Sequence, residues 1–260
     1  MIDIHSHILP GLDDGAHDIE TTLKMAEIAA ADGIKKVIAT PHFISKEKEM
    51  EKELILEKVE EINNILINEN IPLEILPGQE VFITPDVPEL YEQGKILSLC
   101  NKGKYILLEL PMMSIPVYTK EVIFNLNLKG VKTIIAHPER NYEIIKDLDK
   151  LNELVEIGAL IQVNSLSLLG IFGKEVKDTA LKILKRRYVS FIASDCHTAR
   201  SRSPKLKGLL NIMEEKEFIK YCRENPLKIL NNEDIETERN YGVKKEKGFF
   251  RKISAFFEFF

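Results

Sequence analysis

The chain is poor in cysteine: Cys100, Cys196 and Cys222 are the only three among 260 residues. An odd number at wide spacing excludes a disulfide framework and a zinc knuckle, and points to a reducing compartment. No apolar run is long enough to span a bilayer. No basic segment leads into an apolar stretch at the start, so no signal peptide is expected. Positive charge is also short, with 36 Lys and Arg against 41 Asp and Glu and a formal net charge of -5. That argues against nucleic acid as the main partner. There is no internal sequence repeat. What remains is an ordinary apolar share of 44% in a length that suits one large domain. The expectation is a soluble cytoplasmic protein.

Short apolar runs alternate with helical patterns along the chain. Strands are expected at 2–7, 35–40, 73–76, 105–110, 131–136, 159–164 and 188–193. The first helix is bracketed by Asp18 as its cap and Gly33 as its stop. Further helices are expected at about 47–70, 87–92, 120–128, 148–157, 174–185 and 205–214. Seven such βα units favour a closed or nearly closed α/β barrel over an open sheet. The barrel domain is expected over residues 1–230, a polar linker over 231–248 and a Phe-rich segment over 249–260.

The reactive residue types fall in a pattern. Of six histidines, His5, His7, His42, His137 and His197 lie at or just past the C-terminal end of an expected strand. Only His17 does not, and it reads as a solvated loop residue. Glu80, Glu109 and Asp195 occupy the same class of position, and Asp13 and Asp14 follow the first strand in a Pro/Gly-bracketed loop. In an α/β barrel those strand ends converge on one face, where active sites sit. His5 and His7 are two apart, so on a strand both imidazoles point one way. A nitrogen- and oxygen-rich set without a cysteine ligand suits Mn, Fe or Zn. So many candidates exceed one ion, and imply two or three metals sharing a bridging carboxylate. Such clusters activate a bridging hydroxide for in-line attack on phosphorus or carbonyl carbon. Arg140 lies just past His137, and Arg200 and Arg202 just past His197. Guanidinium forks beside two separate ligand candidates favour a phosphate ester.

Asp3-Ile-His-Ser-His7, Leu12-Asp-Asp-Gly15, Ala39-Thr-Pro-His42, Pro77-Gly-Gln-Glu80, Leu107-Leu-Glu109, Ile135-Ala-His-Pro-Glu-Arg140, Gln162-Val-Asn-Ser165 and Ala193-Ser-Asp-Cys-His197 follow in order at compatible spacing. With these motifs the chain resembles the polymerase-and-histidinol-phosphatase (PHP) superfamily. Within it, the chain is similar to the bacterial manganese-dependent tyrosine phosphatases of capsule and exopolysaccharide loci. The resemblance implies a distorted seven-stranded (β/α) barrel with three metals. One would be held by His5, His7, Glu80 and Asp195. A second would share Glu80 and add Glu109 and His137. A third would take Asp14, His42 and His197, with Asp14 rather than Asp13 as the ligand. Arg140 and Arg202 match phosphate-binding arginines, Arg200 less securely. The implied substrate is phosphotyrosine on a membrane-associated tyrosine autokinase.

Three rivals stand beside this reading. Cys196-His-Thr-Ala-Arg-Ser-Arg202 fits the bare C-x5-R pattern of cysteine-dependent phosphatases, but its loop has no glycine and leaves the other histidines unexplained. A PHP phosphatase of a small phosphomonoester such as histidinol phosphate would carry the same metal motifs. A non-catalytic PHP-like binding module would have lost several of the ligands. In the last residues, Phe249, Phe250, Ile253, Phe256, Phe257 and Phe260 follow helical spacing beside Lys244, Lys245, Lys247, Arg251 and Lys252. That pattern fits a segment packed on the barrel or in an oligomer, or an amphipathic helix touching membrane or kinase.

Overall fold

The structure, a computed structural model, describes residues 1–235. Most of the expected linker and all of the Phe-rich segment lie outside the described residues. The strands are β1 (Ile2–Ser6), β2 (Lys36–Ala39), β3 (His42–Phe43), β4 (Glu74–Pro77), β5 (Glu80–Phe82), β6 (Tyr105–Glu109), β7 (Lys132–Ile135), β8 (Leu160–Asn164) and β9 (Val189–Ala193). The helices are α1 (Ile19–Asp32), α2 (Lys52–Asn68), α3 (Val87–Glu92), α4 (Thr119–Leu128), α5 (Tyr142–Lys146), α6 (Asp149–Glu156), α7 (Ser165–Leu169), α8 (Lys174–Lys185), α9 (Glu215–Ile219) and α10 (Asn225–Asn231). Every strand pairing is parallel, so this is an α/β fold of βαβ units. No helix among the described residues is long and apolar enough to cross a membrane.

The sheet differs from a single seven-stranded one. It divides into three strands in the order β1-β2-β4 and six in the order β3-β5-β6-β7-β8-β9. The physical reason lies at two interruptions. The second strand ends before Pro41, which has no N–H for a ladder, as expected at 35–40, but β3 follows directly past it and was not expected. The third closes as expected before Gly78, where a Cβ would stand 2.9 Å from both Ile38 Cγ2 and Leu99 Cδ2, and the unexpected β5 follows past it. Past these breaks β3 pairs with β5 and so continues into the larger sheet. On the other side β1 meets the end of β9: the His7 N–H donates to the Cys196 carbonyl at 2.9 Å and the Asp195 N–H to the His5 carbonyl at 2.9 Å.

The helices follow local chemistry. Asp18 Oδ1 accepts the Thr21 N–H at 2.8 Å and caps α1, and Gly33 ends it at φ +88°. α2 begins at Lys52 rather than near residue 47, because Ile44 and Lys48 exchange backbone hydrogen bonds in a turn. The expected helix at 205–214 is only a 3-10 turn at Lys207–Asn211. The short helices α5, α7, α9 and α10 and a π-helical turn at Lys220–Glu224 were not expected. Each is too short for a 3.6-residue period to show.

Two apolar cores result. The outer one packs strand faces against helices, with Met25, Ile55, Ile62, Ile123, Leu154 and Ile183 all buried. The inner one holds Ile2, Ile4, Ile38, Tyr105, Leu107, Ile134, Leu160 and Phe191, with Leu99 and Ile229 joining it. Alternation then decides what stands above that inner core. Leu107 is followed two residues on by Glu109, Leu160 by Gln162 and Asn164, and Ala193 by Asp195. Apolar side chains fill the barrel, and polar ones of the same parity occupy the C-terminal ends of its strands.

Candidate metal centre

Five histidines and four carboxylates meet at those strand ends. Glu80, at the start of β5, is central. Its Oε2 lies 3.2 Å from His5 Nε2, 3.2 Å from His7 Nε2 and 3.1 Å from His42 Nδ1, and its Oε1 lies 2.9 Å from His137 Nε2. Asp195 Oδ1 stands 3.5 Å from both His5 Nε2 and His7 Nε2. Glu109 approaches His137 at 3.7 Å and His42 at 3.9 Å. Asp14 Oδ1 lies 3.4 Å from His42 Nε2 and 3.4 Å from His197 Nε2. Two of these residues hold left-handed backbone, His137 at φ 30° and Asp195 at φ 51°. For non-glycine residues such strain collects at functional positions.

The hydrogen bonds behind the cluster determine which nitrogens carry protons. Asp13 Oδ2 lies 2.6 Å from His7 Nδ1, and a carboxylate only accepts, so Nδ1 donates, and in the neutral, metal-ligating form of the ring Nε2 is bare. Asn164 Nδ2 donates to Asp195 Oδ2 at 2.7 Å, which turns its Oδ1 to accept from Gln162 Nε2 at 2.8 Å. Gln162 Oε1 then accepts from His5 Nδ1 at 2.9 Å, which leaves Nε2 of the neutral His5 ring bare as well. His197 Nδ1 donates to the Asp195 carbonyl at 3.1 Å, and its Nε2 faces Asp14. His5 Nε2 and His7 Nε2, both bare, are 3.3 Å apart and share Glu80 Oε2, which receives no hydrogen bond.

Lone pairs facing lone pairs in a buried site call for a cation between them. Donor atoms bonded to one ion at about 2.1 Å stand roughly 3.0–3.4 Å apart in octahedral or tetrahedral geometry. The spacings of His5, His7 and His42 from Glu80 Oε2 and of His42 and His197 from Asp14 lie in that range, while Asp195 at 3.5 Å and Glu109 at 3.7 and 3.9 Å stand beyond it. Three groups have donor atoms close enough for a common ion: His5, His7 and Glu80; His42, Glu80 and Glu109; and His7, Asp14, His42 and His197. Relative to the sets implied by resemblance, His42 also turns a nitrogen to Glu80 and Glu109, and His7 also joins the group around Asp14.

Burial lowers His5, His7 and His42, but the carboxylates of Glu80, Asp195, Asp13 and Glu109 around them raise all three, so the pocket holds negative charge that either protons or a metal cation can answer. Burial alone would raise Glu80, but the surrounding imidazoles of His5, His137 and His42 hold its carboxyl well below the usual range. Burial raises Glu109, and the negative charge of Glu80 adds to that. Burial, then the neighbouring His7, pushes His197 down to about 4. Cys196 behaves differently. Its thiol is fully buried, donates to Ser6 Oγ at 3.2 Å and is pushed up to about 12, chiefly by burial. A thiolate nucleophile is therefore not poised here.

The arginines complete the picture. Arg140 Nη1 lies 3.1 Å and Arg202 Nη2 2.8 Å from Asp195 Oδ2. Both guanidiniums also lie over the Phe172 ring, with Cζ 4.8 Å and 5.9 Å from its centroid. Arg200 is exposed, with its N–H donating to Thr198 Oγ1, and does not reach Asp195. His17 is exposed beside Asp18.

The family described as "Capsular polysaccharide synthesis, CpsB/CapC" matches residues 1–234. The chain belongs to the CpsB/CapC family. It is 40% identical to tyrosine-protein phosphatase YwqE of Bacillus subtilis over 255 residues, covering 96% of this chain and 100% of that protein. It is 30% identical to tyrosine-protein phosphatase CpsB of Streptococcus pneumoniae over 240 residues, covering 88% of this chain and 98% of that one. A solved structure from work on YwqE and CpsB, described there as "unique metal-dependent tyrosine phosphatases", superposes with a TM-score of 0.87. It is 39% identical and covers 94% of this chain and 100% of its own.

Within this CpsB/CapC chain, strand ends alone do not reveal Asp13, Gln162, Asn164 and Phe172 as parts of the site. Gln162 and Asn164 carry the same signal as His5 and His7, two polar residues two apart at a strand's end. Asp13 carries none that separates it from Asp14. Phe172 sits between Gly170 and Gly173 in a turn, and nothing in the residue pattern ties it to Arg140 or Arg202.

Proposed function

We propose that this chain is a metal-dependent protein-tyrosine phosphatase, acting on a phosphotyrosine protein of capsule or exopolysaccharide synthesis. The observation that carries the reading is the convergence of bare histidine nitrogens, carboxylates and two arginine forks at one end of the strands. In this reading β2–β3 and β4–β5 are single strands broken in the middle, and the fold is one distorted seven-stranded barrel. Manganese is the ion we favour, held by His5, His7, Glu80 and Asp195, by Glu80, Glu109 and His137, and by Asp14, His42 and His197. When bound, such ions supply Lewis-acid charge and lower the pKa of the attacking water.

The chain's own residues do the rest. Arg140 and Arg202 converge from two loops and grip the phosphate oxygens, exchanging part of their contact with Asp195 for the substrate. Asp13, through His7, and Gln162, through His5, keep the ligand nitrogens deprotonated and aimed. A phenolate leaving group, with pKa about 10, needs little proton help. That suits a site with no acid dedicated to the leaving oxygen. The substrate we favour is a membrane-associated tyrosine autokinase, and we read residues 249–260 as an amphipathic segment that touches its membrane. Liposome co-sedimentation of the full chain against one ending near residue 240 tests the latter, and equal sedimentation refutes it.

The deciding experiment removes metal with a chelator and restores manganese, comparing a phosphotyrosine peptide with histidinol phosphate. We expect loss and recovery of turnover, with the peptide preferred. Preference for histidinol phosphate would overturn the protein-tyrosine assignment, and full activity without metal would overturn the chemistry.

A further inference from the structure

Phe172 lies on the short turn between α7 and α8. α7 starts at Ser165, directly after Asn164, whose side chain holds Asp195. Gly170 and Gly173, at φ +87° and +94°, bracket the turn. A side chain at either would strain that conformation. The Ile171 N–H donates to the Leu166 carbonyl at 3.0 Å and the Gly173 N–H to the Gly170 carbonyl at 3.1 Å. The turn is thus pinned to a helix that is itself pinned to the site.

We propose that Phe172 is a specificity-determining residue, the aromatic wall against which the aryl ring of a phosphate ester packs. The inference rests on the phosphatase reading above and names what the site selects. One ring lies under both arginine forks, each within the roughly 6 Å reach of a cation–π contact. A phosphate gripped by both forks therefore has its ester group beside that ring. Phe172 keeps part of its surface open, and neighbouring Ile171 is 59% exposed and Leu169 38%. Apolar surface next to a doubly cationic anion site fits a ligand with an anionic end and a flat apolar body. An alkyl phosphate offers no such body. Aromatic pairs gain beyond plain burial, on a scale of about three- to tenfold in affinity.

A purely structural role, in which Phe172 only props the arginines, predicts equal damage to every phosphate ligand. The test therefore reads ratios. In Phe172→Leu, the kcat/KM preference for phenyl phosphate over glycerol phosphate is expected to fall about tenfold. The ratio of Ki for phenylphosphonate to Ki for inorganic phosphate is expected to rise similarly. Unchanged ratios overturn the inference. A second variant guards against a misfolded first one. The chain has no tryptophan, so Phe172→Trp carries its sole indole. Quenching of that indole by 4-nitrophenylphosphonate, beyond the effect of inorganic phosphate, is expected, and its absence overturns the inference. Wild-type hydrolysis of phosphotyrosine with unchanged ratios in the variant sinks the role of Phe172 alone. No metal-dependent hydrolysis of any phosphate by the wild type sinks the phosphatase reading, and this inference with it.

Discussion

Asp13→Asn removes one charge and changes no volume, yet it should weaken metal binding tenfold or more. Asp13 accepts three hydrogens: from His7 Nδ1 at 2.6 Å, the His42 N–H at 3.2 Å and the Gly15 N–H at 2.9 Å. Both carboxylate oxygens are in use. An asparagine has one acceptor and one NH2 group. If its oxygen serves His7 and His42, its NH2 faces the Gly15 N–H, donor against donor. If it turns over, its NH2 faces His7 Nδ1, and that nitrogen must accept. The proton then moves to Nε2, which points at Glu80 and Asp195 and can no longer ligate. Loss of such an orienting carboxylate typically costs 10- to 100-fold in metal affinity, or about 1.4–2.7 kcal/mol. Equilibrium dialysis with manganese, counting ions per chain, gives the affinity. Long-range nitrogen–proton NMR of the imidazoles gives the tautomer. Manganese binding at the wild-type affinity with His7 still protonated on Nδ1 would refute the reasoning. Asp14→Asn separates the neighbours: Asp14 is 64% exposed and makes no orienting bond, so the His7 tautomer should survive that change.

Three further outcomes are expected. Cys196→Ser should keep turnover within about threefold of wild type, since a small hydroxyl fits the bond to Ser6, while chelation abolishes turnover; a dead serine variant with chelator-resistant wild type would reverse this. Gly15→Ala places a Cβ 2.1 Å from the His7 carbonyl oxygen and 2.4 Å from His7 Cβ. It should cost about 1–3 kcal/mol, read as a lower Tm, together with lost metal; an unchanged Tm and metal content would contradict the close approach. Arg140→Lys keeps the charge but loses the fork, and should lower kcat/KM about 10- to 100-fold with metal content unchanged by elemental analysis; a parallel loss of metal would mean that Arg140 serves the ligands through Asp195 instead.

Much of this arrangement was legible because it rests on strand ends. Histidines and carboxylates placed just past apolar runs are local facts, and parallel βα topology brings those points together. α1 was equally readable, since Asp18 and Gly33 act within a few residues of where they stand. What could not be read depends on direction or on distant partners. Asp13 and Asp14 are identical neighbours in one loop, yet one turns inward to a histidine ring and the other outward to two. Gln162 and Asn164 matter because Asp195, from the next strand, orients Asn164. Phe172 matters because two arginines from separate loops come to rest on it. The split of the sheet at Pro41 and Gly78 was signalled by residue type. Whether such a break bends a strand or ends it is decided by what packs there, here Leu99 against Ile38 and Gly78.

The first strand shows how one segment serves both core and site. Ile2 and Ile4 lie in the inner core, while His5 and His7, of the opposite parity, point at the same interior. A regular strand cannot do this, because alternate residues keep to one face. On β6 and β8 the rule holds, and on β9 it holds from Phe191 onward, past a register shift of its own, so Leu107, Leu160 and Ala193 share their face with the polar residues above them. On β1 the pairing with β2 shifts register between Asp3 and Ser6. Without that shift Ile4 would be followed inward by Ser6 and Ile8, and the imidazoles would face the helices. Ile8 instead sits in the outer core. At this irregularity Asp3 is fully buried, and its Oδ1 accepts from two backbone donors, the Ser194 N–H just past β9 at 2.9 Å and the His5 N–H of its own strand at 3.5 Å. A buried donor left without a partner costs about 1–3 kcal/mol. Asp3 therefore supplies partners for two buried donors and ties β1 to the end of β9 where the change of face occurs. A buried acceptor thus stands two residues before the His-x-His pair, at the point where the strand breaks its own alternation.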